Sequence, residues 1–128
     1  MQNLFVYGTL LYPELWQRLV KRHYRHARAQ LAGYRRPTVK GERYPALVPC
    51  RGGSVVGRLY FALHPDDMRR LDRYEGHHYR RQQVEVLLDD GRSVKATTYL
   101  FKKRYRTRLS SREWQPGLAH GRTLCKQL

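Results

Sequence analysis

The alternation of hydrophobic and polar positions predicts a chain built mainly of β-strands. Leu4–Val6 is a compact apolar run of strand-forming residues, which predicts a buried, central first strand that stops at a glycine turn around Gly8. Asp89–Arg92 carries the Asp-Gly signature of a hairpin turn. The other stretches with extended or alternating patterns are 29–39, 54–63, 81–88 and 93–100. These strands are joined by short turns, which is typical of small barrels.

Prolines and glycines predict interruptions in this pattern. Pro45 and Pro49 restrict residues 44–49 to an edge or irregular extended strand, because proline cannot donate a ladder hydrogen bond. Gly52-Gly53 predicts a turn before the strand at 54–63.

Two segments have helical spacing. Residues 13–23 begin with Pro13, which suits a first helical turn, and place Leu15, Leu19 and Val20 at helical intervals. A second helix is predicted from His64–Asp67 to Glu75, with Asp66 and Asp67 favouring its first turn and Met68 and Leu71 on its buried side. From Lys102 the chain looks basic and irregular. The fold class predicted is α+β, a small mixed β-barrel with flanking helices.

Length and composition predict one domain over residues 1–128. We expect a core at about 4–101 and a basic C-terminal tail at about 102–128. The hydrophobic share of 41% is too high for a disordered chain. No apolar run approaches the roughly 20 residues of a membrane span, and no secretory signal pattern opens the sequence. Two cysteines, Cys50 and Cys125, form no disulfide framework, so we expect a cytoplasmic protein with no membrane partner.

The positive charge has two interpretations. Lysine and arginine number 26 against 10 acidic residues, which gives a net charge of +16. The basic stretches at 18–36 and 102–112 would attract polyanions without reading their sequence. The arginines are also spread along the whole chain, as compositional bias would produce. We therefore expect no nucleic-acid partner beyond non-specific charge, and keep a basic nucleic-acid-associated protein as an alternative.

Glu75 stands apart from the other carboxylates. Asp66 and Asp67 are expected to cap a helix, Asp89 and Asp90 form a turn, and Glu85 lies on a polar strand face. Glu75 instead closes a helix beside Gly76, among aromatic side chains. Packed against these rings it would have a raised pKa and could act as a base. The residues alone also allow a solvated glutamate at a helix end, and they favour that interpretation.

The turn at Gly8 also has two interpretations. Backbone N–H groups between a strand and a helix can form a concave donor site for a carboxylate or an oxyanion, and glycine lets a ligand approach the backbone. An ordinary strand–turn–helix connection explains the same residues. Tyr44, Tyr79 and Tyr99 are candidate walls of any such pocket, because tyrosine joins an apolar ring to a polar tip.

The histidines and cysteines predict no metal site. His77 and His78 are adjacent and would point in opposite directions from an extended chain. His23 and His26 could share a helix face, yet no third ligand accompanies them. No phosphate-binding loop or dinucleotide fingerprint is present.

Five sequence blocks, in this order, resemble the gamma-glutamylcyclotransferase-like family, and most closely its short AIG2-like and gamma-glutamylamine cyclotransferase-like branch. The resemblance covers roughly residues 4–100. The blocks are Phe5–Leu10, Tyr44–Pro49, Gly57–Tyr60, Leu71–Gly76, and Tyr79–Arg81 with Val84–Val86.

The resemblance implies an enzyme that needs neither metal nor cofactor. The alpha-amine of a gamma-glutamyl amine or peptide attacks its own gamma-carbonyl and releases 5-oxoproline and a free amine. Glu75 would be the general acid/base, and Tyr7, Gly8, Thr9 and Leu10 the substrate-binding loop. We expect a small-molecule substrate and a monomer. A non-catalytic ligand-binding or regulatory protein that keeps the family pocket is the alternative.

Overall fold

The computed structural model describes residues 1–116, and five of its strands form a closed barrel. The strands are β1 Gln2–Val6, β2 His26–Arg35, β3 Pro37–Val39, β4 Val48–Leu63, β5 Tyr79–Leu88, β6 Ser93–Phe101 and β7 Leu109–Glu113. The helices are α1 Pro13–Leu19 and α2 Pro65–Glu75, with 3-10 helices at Thr9–Leu11 and Lys103–Arg108.

The barrel order is β1-β4-β2-β5-β6, and β3 pairs with β7 in a separate two-stranded sheet. Strands β1 and β6 run parallel, with Leu4 opposite Thr97, while the other barrel pairs are antiparallel. The predicted α+β mixed barrel with flanking helices is confirmed.

Strand β1 is buried on both faces, which explains its unbroken apolar sequence. Successive side chains of a strand point to opposite sides. Phe5 therefore joins the cluster inside the barrel, while Leu4 and Val6 join a second cluster beneath the helices. Leu4 and Phe5 are both 0% exposed. The prediction of a central first strand is confirmed, because β1 pairs with β4 on one side and β6 on the other.

The predicted turn at Gly52-Gly53 is wrong. Both glycines lie inside β4, and the strand pairs with β2 on either side of them. Tyr34 lies opposite Pro49 and Ala32 opposite Ser54, so β4 has extra residues in the register at this point. A Cβ on Gly53 would lie 2.5 Å from the Tyr34 carbonyl oxygen. Glycine here allows a bulge rather than a reversal of direction.

The first helix is shorter than predicted, and its neighbouring contacts explain why. Helix α1 ends at Leu19, not at residue 23. The chain then turns toward α2, where the Lys21 N–H donates to Asp67 Oδ1 at 2.9 Å. The cap of α2 also differs from the prediction, because the His64 ring accepts from the Asp66 N–H. Asp67 is instead a fully buried link between α2 and the segment after α1.

The chain after Lys102 is more regular than predicted. It forms the 3-10 helix Lys103–Arg108 and then β7, which pairs with β3. Trp114 fastens the end of this segment, since its indole N–H donates to the Arg43 carbonyl at 2.8 Å. The remainder of the predicted tail, with His120 and Cys125, lies outside the described residues. No helix within residues 1–116 is long and apolar enough to cross a membrane.

Candidate active site

The loop after β1 presents unused backbone donors. Its 3-10 helix is closed by bonds from the Leu11 N–H to the Gly8 carbonyl and from the Tyr12 N–H to the Thr9 carbonyl. The first N–H groups of any helix have no partner within that helix. Within residues 1–116, no backbone acceptor is bonded to the N–H of Gly8, Thr9 or Leu10.

Gly8 allows another segment of the chain to approach closely. Its φ of −120° lies outside the left-handed region that favours glycine. A Cβ at this position would lie 2.9 Å from Pro45 Cγ, which is closer than side chains pack. Pro45 belongs to the segment between β3 and β4, so Gly8 lets two distant parts of the chain meet.

Glu75 is the last residue of α2, and a left-handed glycine fixes where the helix ends. Gly76 has a φ of +79° and donates its N–H to the Asp72 carbonyl at 3.1 Å. Other residues adopt that φ only with strain, so Gly76 stops the helix one residue after the carboxylate. The side chain of Glu75 then reaches the space beside the Gly8 loop.

A cavity of about 180 Å³ brings the predicted site residues together. All seven of the predicted binding and catalytic residues line it, and the third candidate wall, Tyr99, does too. The lining consists of Phe5, Val6, Tyr7, Gly8, Thr9, Leu10, Tyr44, Pro45, Tyr74, Glu75, His78, Tyr79 and Tyr99. Closure of the barrel and the packing of α2 place Glu75 against a loop some 65 residues earlier in the chain.

The Glu75 carboxyl has a strongly raised pKa. Burial, followed by the negative charge of Asp72, raises the pKa of Glu75 from 4.5 to about 8. No hydrogen bond from any residue in 1–116 offsets this effect. The carboxyl is therefore a proton donor and acceptor close to neutral pH.

The tyrosines of the cavity stay neutral. Burial is the main cause that raises the pKa of Tyr7, Tyr79 and Tyr99, and the charge of Glu75 adds to it in each case. These phenols therefore act as hydrogen-bonding groups and not as bases near pH 7.

Hydrogen bonds fix the tyrosine walls. The Tyr7 hydroxyl donates to the Tyr99 carbonyl at 2.6 Å, and the Tyr79 hydroxyl donates to the Pro45 carbonyl at 2.7 Å. Thr9 Oγ1 lies 2.9 Å from the Tyr74 hydroxyl and so ties the loop to α2. The loop, α2 and the Pro45 segment are thus joined around the cavity.

Asp72 is a neighbour of the site that sequence reasoning did not select. It accepts from the Tyr99 hydroxyl at 2.6 Å and forms two bonds with the Arg81 guanidinium, at 3.0 and 2.6 Å. Its spacing of three residues from Glu75 on one helix was the available signal, because such residues share a helix face. Pro45, Tyr74 and His78 are further lining residues that were not predicted.

The described residues suit acid–base and oxyanion chemistry. No group of three or more His, Cys, Asp or Glu side chains in residues 1–116 could hold a metal ion. One titrating carboxyl, a set of free backbone donors and neutral phenols share the cavity. Such a site can move a proton and stabilise a developing negative charge.

Comparison with known proteins assigns the family. The family model for "Gamma-glutamyl cyclotransferase, AIG2-like" matches residues 4–116. The chain belongs to this family. AIG2-like protein D of Arabidopsis thaliana is 34% identical over 106 residues, which cover 81% of this chain and 70% of the relative. The chain spans 58–70% of the lengths of the AIG2-like proteins A to D from that plant.

Solved structures share the family fold. An Arabidopsis thaliana protein solved in solution superposes with a TM-score of 0.77 at 28% identity, covering 98% of this chain and 83% of that one. A structure titled gamma-glutamyl cyclotransferase superposes with a TM-score of 0.69 and covers 98% of both chains. Its 15% identity supports the fold alone.

Proposed function

We propose that this member of the family is an active gamma-glutamylcyclotransferase, which converts a gamma-glutamyl amine or peptide into 5-oxoproline and a free amine. One observation carries the proposal. The Glu75 carboxyl, with a pKa raised to about 8, shares a small cavity with the N–H groups of Gly8, Thr9 and Leu10, to which no backbone acceptor within residues 1–116 is bonded. A base and an oxyanion site are the two groups that this cyclisation requires.

The first step of the proposed reaction joins two atoms of one substrate. Glu75 takes a proton from the alpha-ammonium group, and the neutral amine attacks the gamma-carbonyl carbon. A C–N bond forms, and the carbonyl electron pair moves onto oxygen. Holding the substrate folded brings the reacting atoms together and removes much of the entropy cost. The loop N–H groups stabilise the oxyanion because they are fixed before the reaction begins.

The second step breaks the original amide. The oxyanion reforms the carbonyl, the bond to the leaving nitrogen breaks, and protonated Glu75 gives its proton to that nitrogen. The ring nitrogen, which still carries the second proton of the attacking amine, releases it, and the departing amine takes up this proton and leaves as an ammonium ion. The same carboxyl therefore acts first as base and then as acid, and is returned to its starting state. A pKa of about 8 suits both roles, because efficient proton transfer needs a pKa close to the operating pH.

The neutral tyrosines define the shape of the cavity. Since the Tyr7 and Tyr79 hydroxyls donate to backbone carbonyls, they position the walls rather than move protons. Apolar ring faces also limit water around Glu75, which strengthens electrostatic interactions in the site.

A screen with a product-specific readout tests this proposal. The purified protein is incubated with gamma-glutamyl amines, amino acids and dipeptides, and 5-oxoproline is measured by chromatography. We expect time-dependent 5-oxoproline that scales with protein concentration. Binding of these compounds without any product would support the non-catalytic alternative and overturn the enzymatic proposal.

A further inference from the structure

The candidate catalytic cavity shares two of its wall residues with a second space. This outer compartment has a volume of about 390 Å³ and shares Tyr44 and His78 with the inner cavity. Lys40, Glu42 and Arg108 also line it. The two spaces therefore lie side by side, with Tyr44 and His78 in contact with both.

A backbone contact brings together the two segments that carry the basic residues of the outer compartment. The backbone N–H of Lys40 donates to the Arg108 carbonyl at 2.7 Å. This bond joins the turn after β3 to the 3-10 helix before β7. The Arg108 guanidinium lies 5.4 Å from the centre of the Tyr105 ring. Its Nη1 atom is 3.3 Å from His78 Nε2. Arg108 is thus held at the boundary between the two spaces.

The charges of the outer compartment favour an anion. Lys40 and Arg108 supply two positive charges, and Glu42 is the only carboxylate among its described lining residues. The His78 imidazole is kept neutral because burial, and then the charges of His77, Arg108 and Lys102, lower its pKa. A bound carboxylate would balance the remaining positive charge and could accept hydrogen bonds from the Lys40 and Arg108 side chains.

We propose that the outer compartment holds the departing half of the substrate, and that Lys40 and Arg108 select leaving groups bearing a carboxylate. The substrate class inferred is gamma-glutamyl amino acids and peptides, in preference to gamma-glutamyl derivatives of neutral amines. This inference rests on the proposed function, because it assigns the far end of the same substrate.

A matched pair of substrates isolates the carboxylate. Gamma-glutamyl-alanine and gamma-glutamyl-alaninamide differ only in the charge of the terminal group. We expect kcat/KM for the acid to exceed that for the amide about 10-fold, which corresponds to about 1.4 kcal/mol, because charged hydrogen bonds to the carboxylate are lost with the amide. The readout for both compounds is 5-oxoproline.

Two substitutions test whether Lys40 and Arg108 cause the preference for the acid over the amide. Arg108→Gln and Lys40→Gln are each expected to reduce the acid-to-amide ratio toward one, mainly by lowering kcat/KM for the acid. Lys95→Gln is the control for overall charge, because Lys95 lies on β6 near the hairpin turn and lines neither space. It removes the same charge and should leave the ratio unchanged. Thermal melts verify that each variant is folded.

The outcomes separate this inference from the proposed function. Equal kcat/KM for acid and amide, or a ratio that Arg108→Gln and Lys40→Gln leave unchanged, would overturn the selection while cyclisation stands. An equal fall of the ratio in Lys95→Gln would assign the effect to the net charge and also overturn it. Absence of 5-oxoproline from every gamma-glutamyl compound would defeat the proposed function, and the inference with it.

Discussion

The two ends of α2 each carry an acidic side chain, and the two acids have opposite properties. Asp67, in the first turn, is 0% exposed and accepts hydrogen bonds from the Lys21 N–H, the Tyr24 hydroxyl and Arg70. Burial alone would raise its pKa, yet these hydrogen bonds outweigh burial and lower it. Glu75, in the last turn, is half-buried and has no such donor among residues 1–116, and its pKa rises to about 8.

The difference separates a structural acid from a chemical one. A carboxylate that is fully hydrogen-bonded stabilises the fold but is a weak base. A carboxyl left without donors destabilises its charged form, and this makes it a competent proton acceptor. Removing the carboxylate should therefore affect stability at Asp67 and turnover at Glu75.

The largest expected effect is on catalysis at Glu75. Glu75→Gln keeps the size of the side chain but removes the proton acceptor, so kcat for 5-oxoproline release should fall roughly 100- to 10,000-fold. Substrate binding, measured by calorimetry, should survive. Glu85→Gln, on the exposed face of β5, is the matched control and should retain parental turnover. Parental activity in Glu75→Gln would remove Glu75 from the mechanism.

The second effect is on stability at Asp67. Asp67→Asn retains the shape but weakens three hydrogen bonds and leaves Arg70 without its buried partner. The free energy of unfolding, from urea denaturation, should fall by about 3 kcal/mol. Asp66→Asn is the neighbouring, more exposed control and should cost less than about 1 kcal/mol. Specific activity of the folded Asp67 variant should be preserved, and a loss matching that of Glu75→Gln would contradict the comparison.

A third effect is a pH dependence with opposite signs for the two acids. Between pH 4.5 and about 8 the folded state keeps the Glu75 proton while the unfolded chain releases it, so parental stability falls as the pH rises. Asp67, with its lowered pKa, stabilises the fold above its ordinary pKa and loses that contribution only in acid.

Denaturation across this pH range tests the sign for Glu75. Glu75→Gln should gain stability relative to the parent as the pH rises from 5 to 8, by about 1–3 kcal/mol. A stability difference that stays constant over this range would show that the pKa of Glu75 is not raised in the folded protein.

The smallest expected effect tests how the charge of Asp72 influences the pKa of Glu75. Arg81 neutralises Asp72, whose negative charge helps raise the pKa of Glu75. In the parent, kcat/KM should rise with pH as Glu75 loses its proton. Arg81→Met should therefore move this rising limb of the profile to higher pH by roughly 0.5–1 unit. Arg80→Met, at the next position on β5 and bonded to Gln82, should leave the limb in place. A downward shift in Arg81→Met would exclude this coupling.

Local sequence signals predicted the Glu75 end of α2 better than the Asp67 end. Gly76 marks the end of the helix in the sequence, and it does end the helix in the structure. Asp67 follows a proline and another aspartate, a pattern typical of a helix start, so its interpretation as a capping residue was reasonable and wrong. Its partner Tyr24 lies 43 residues away, and no local pattern identifies a contact at that distance.

Local patterns could not predict the site as a whole, because its residues come together only when the barrel closes. The apolar run of β1 predicted a buried strand, but its residues alone could not place Glu75 beside the Gly8 loop. The family resemblance supplied that convergence. The steric role of Pro45 at Gly8 and the pairing of β3 with β7 depend on tertiary packing, and residue patterns did not indicate them.

The burial of β1 on both faces also has a consequence for biosynthesis. The ribosome makes β1 before either of its neighbours, and β6 follows it by some 90 residues. At about 5–20 residues per second, Leu4 and Phe5 wait on the order of 5–20 seconds for the strand that encloses them. During that interval an apolar segment with unpaired edges is exposed to other nascent chains. The demand for a chaperone should therefore be greatest during translation and should fall once β6 has emerged.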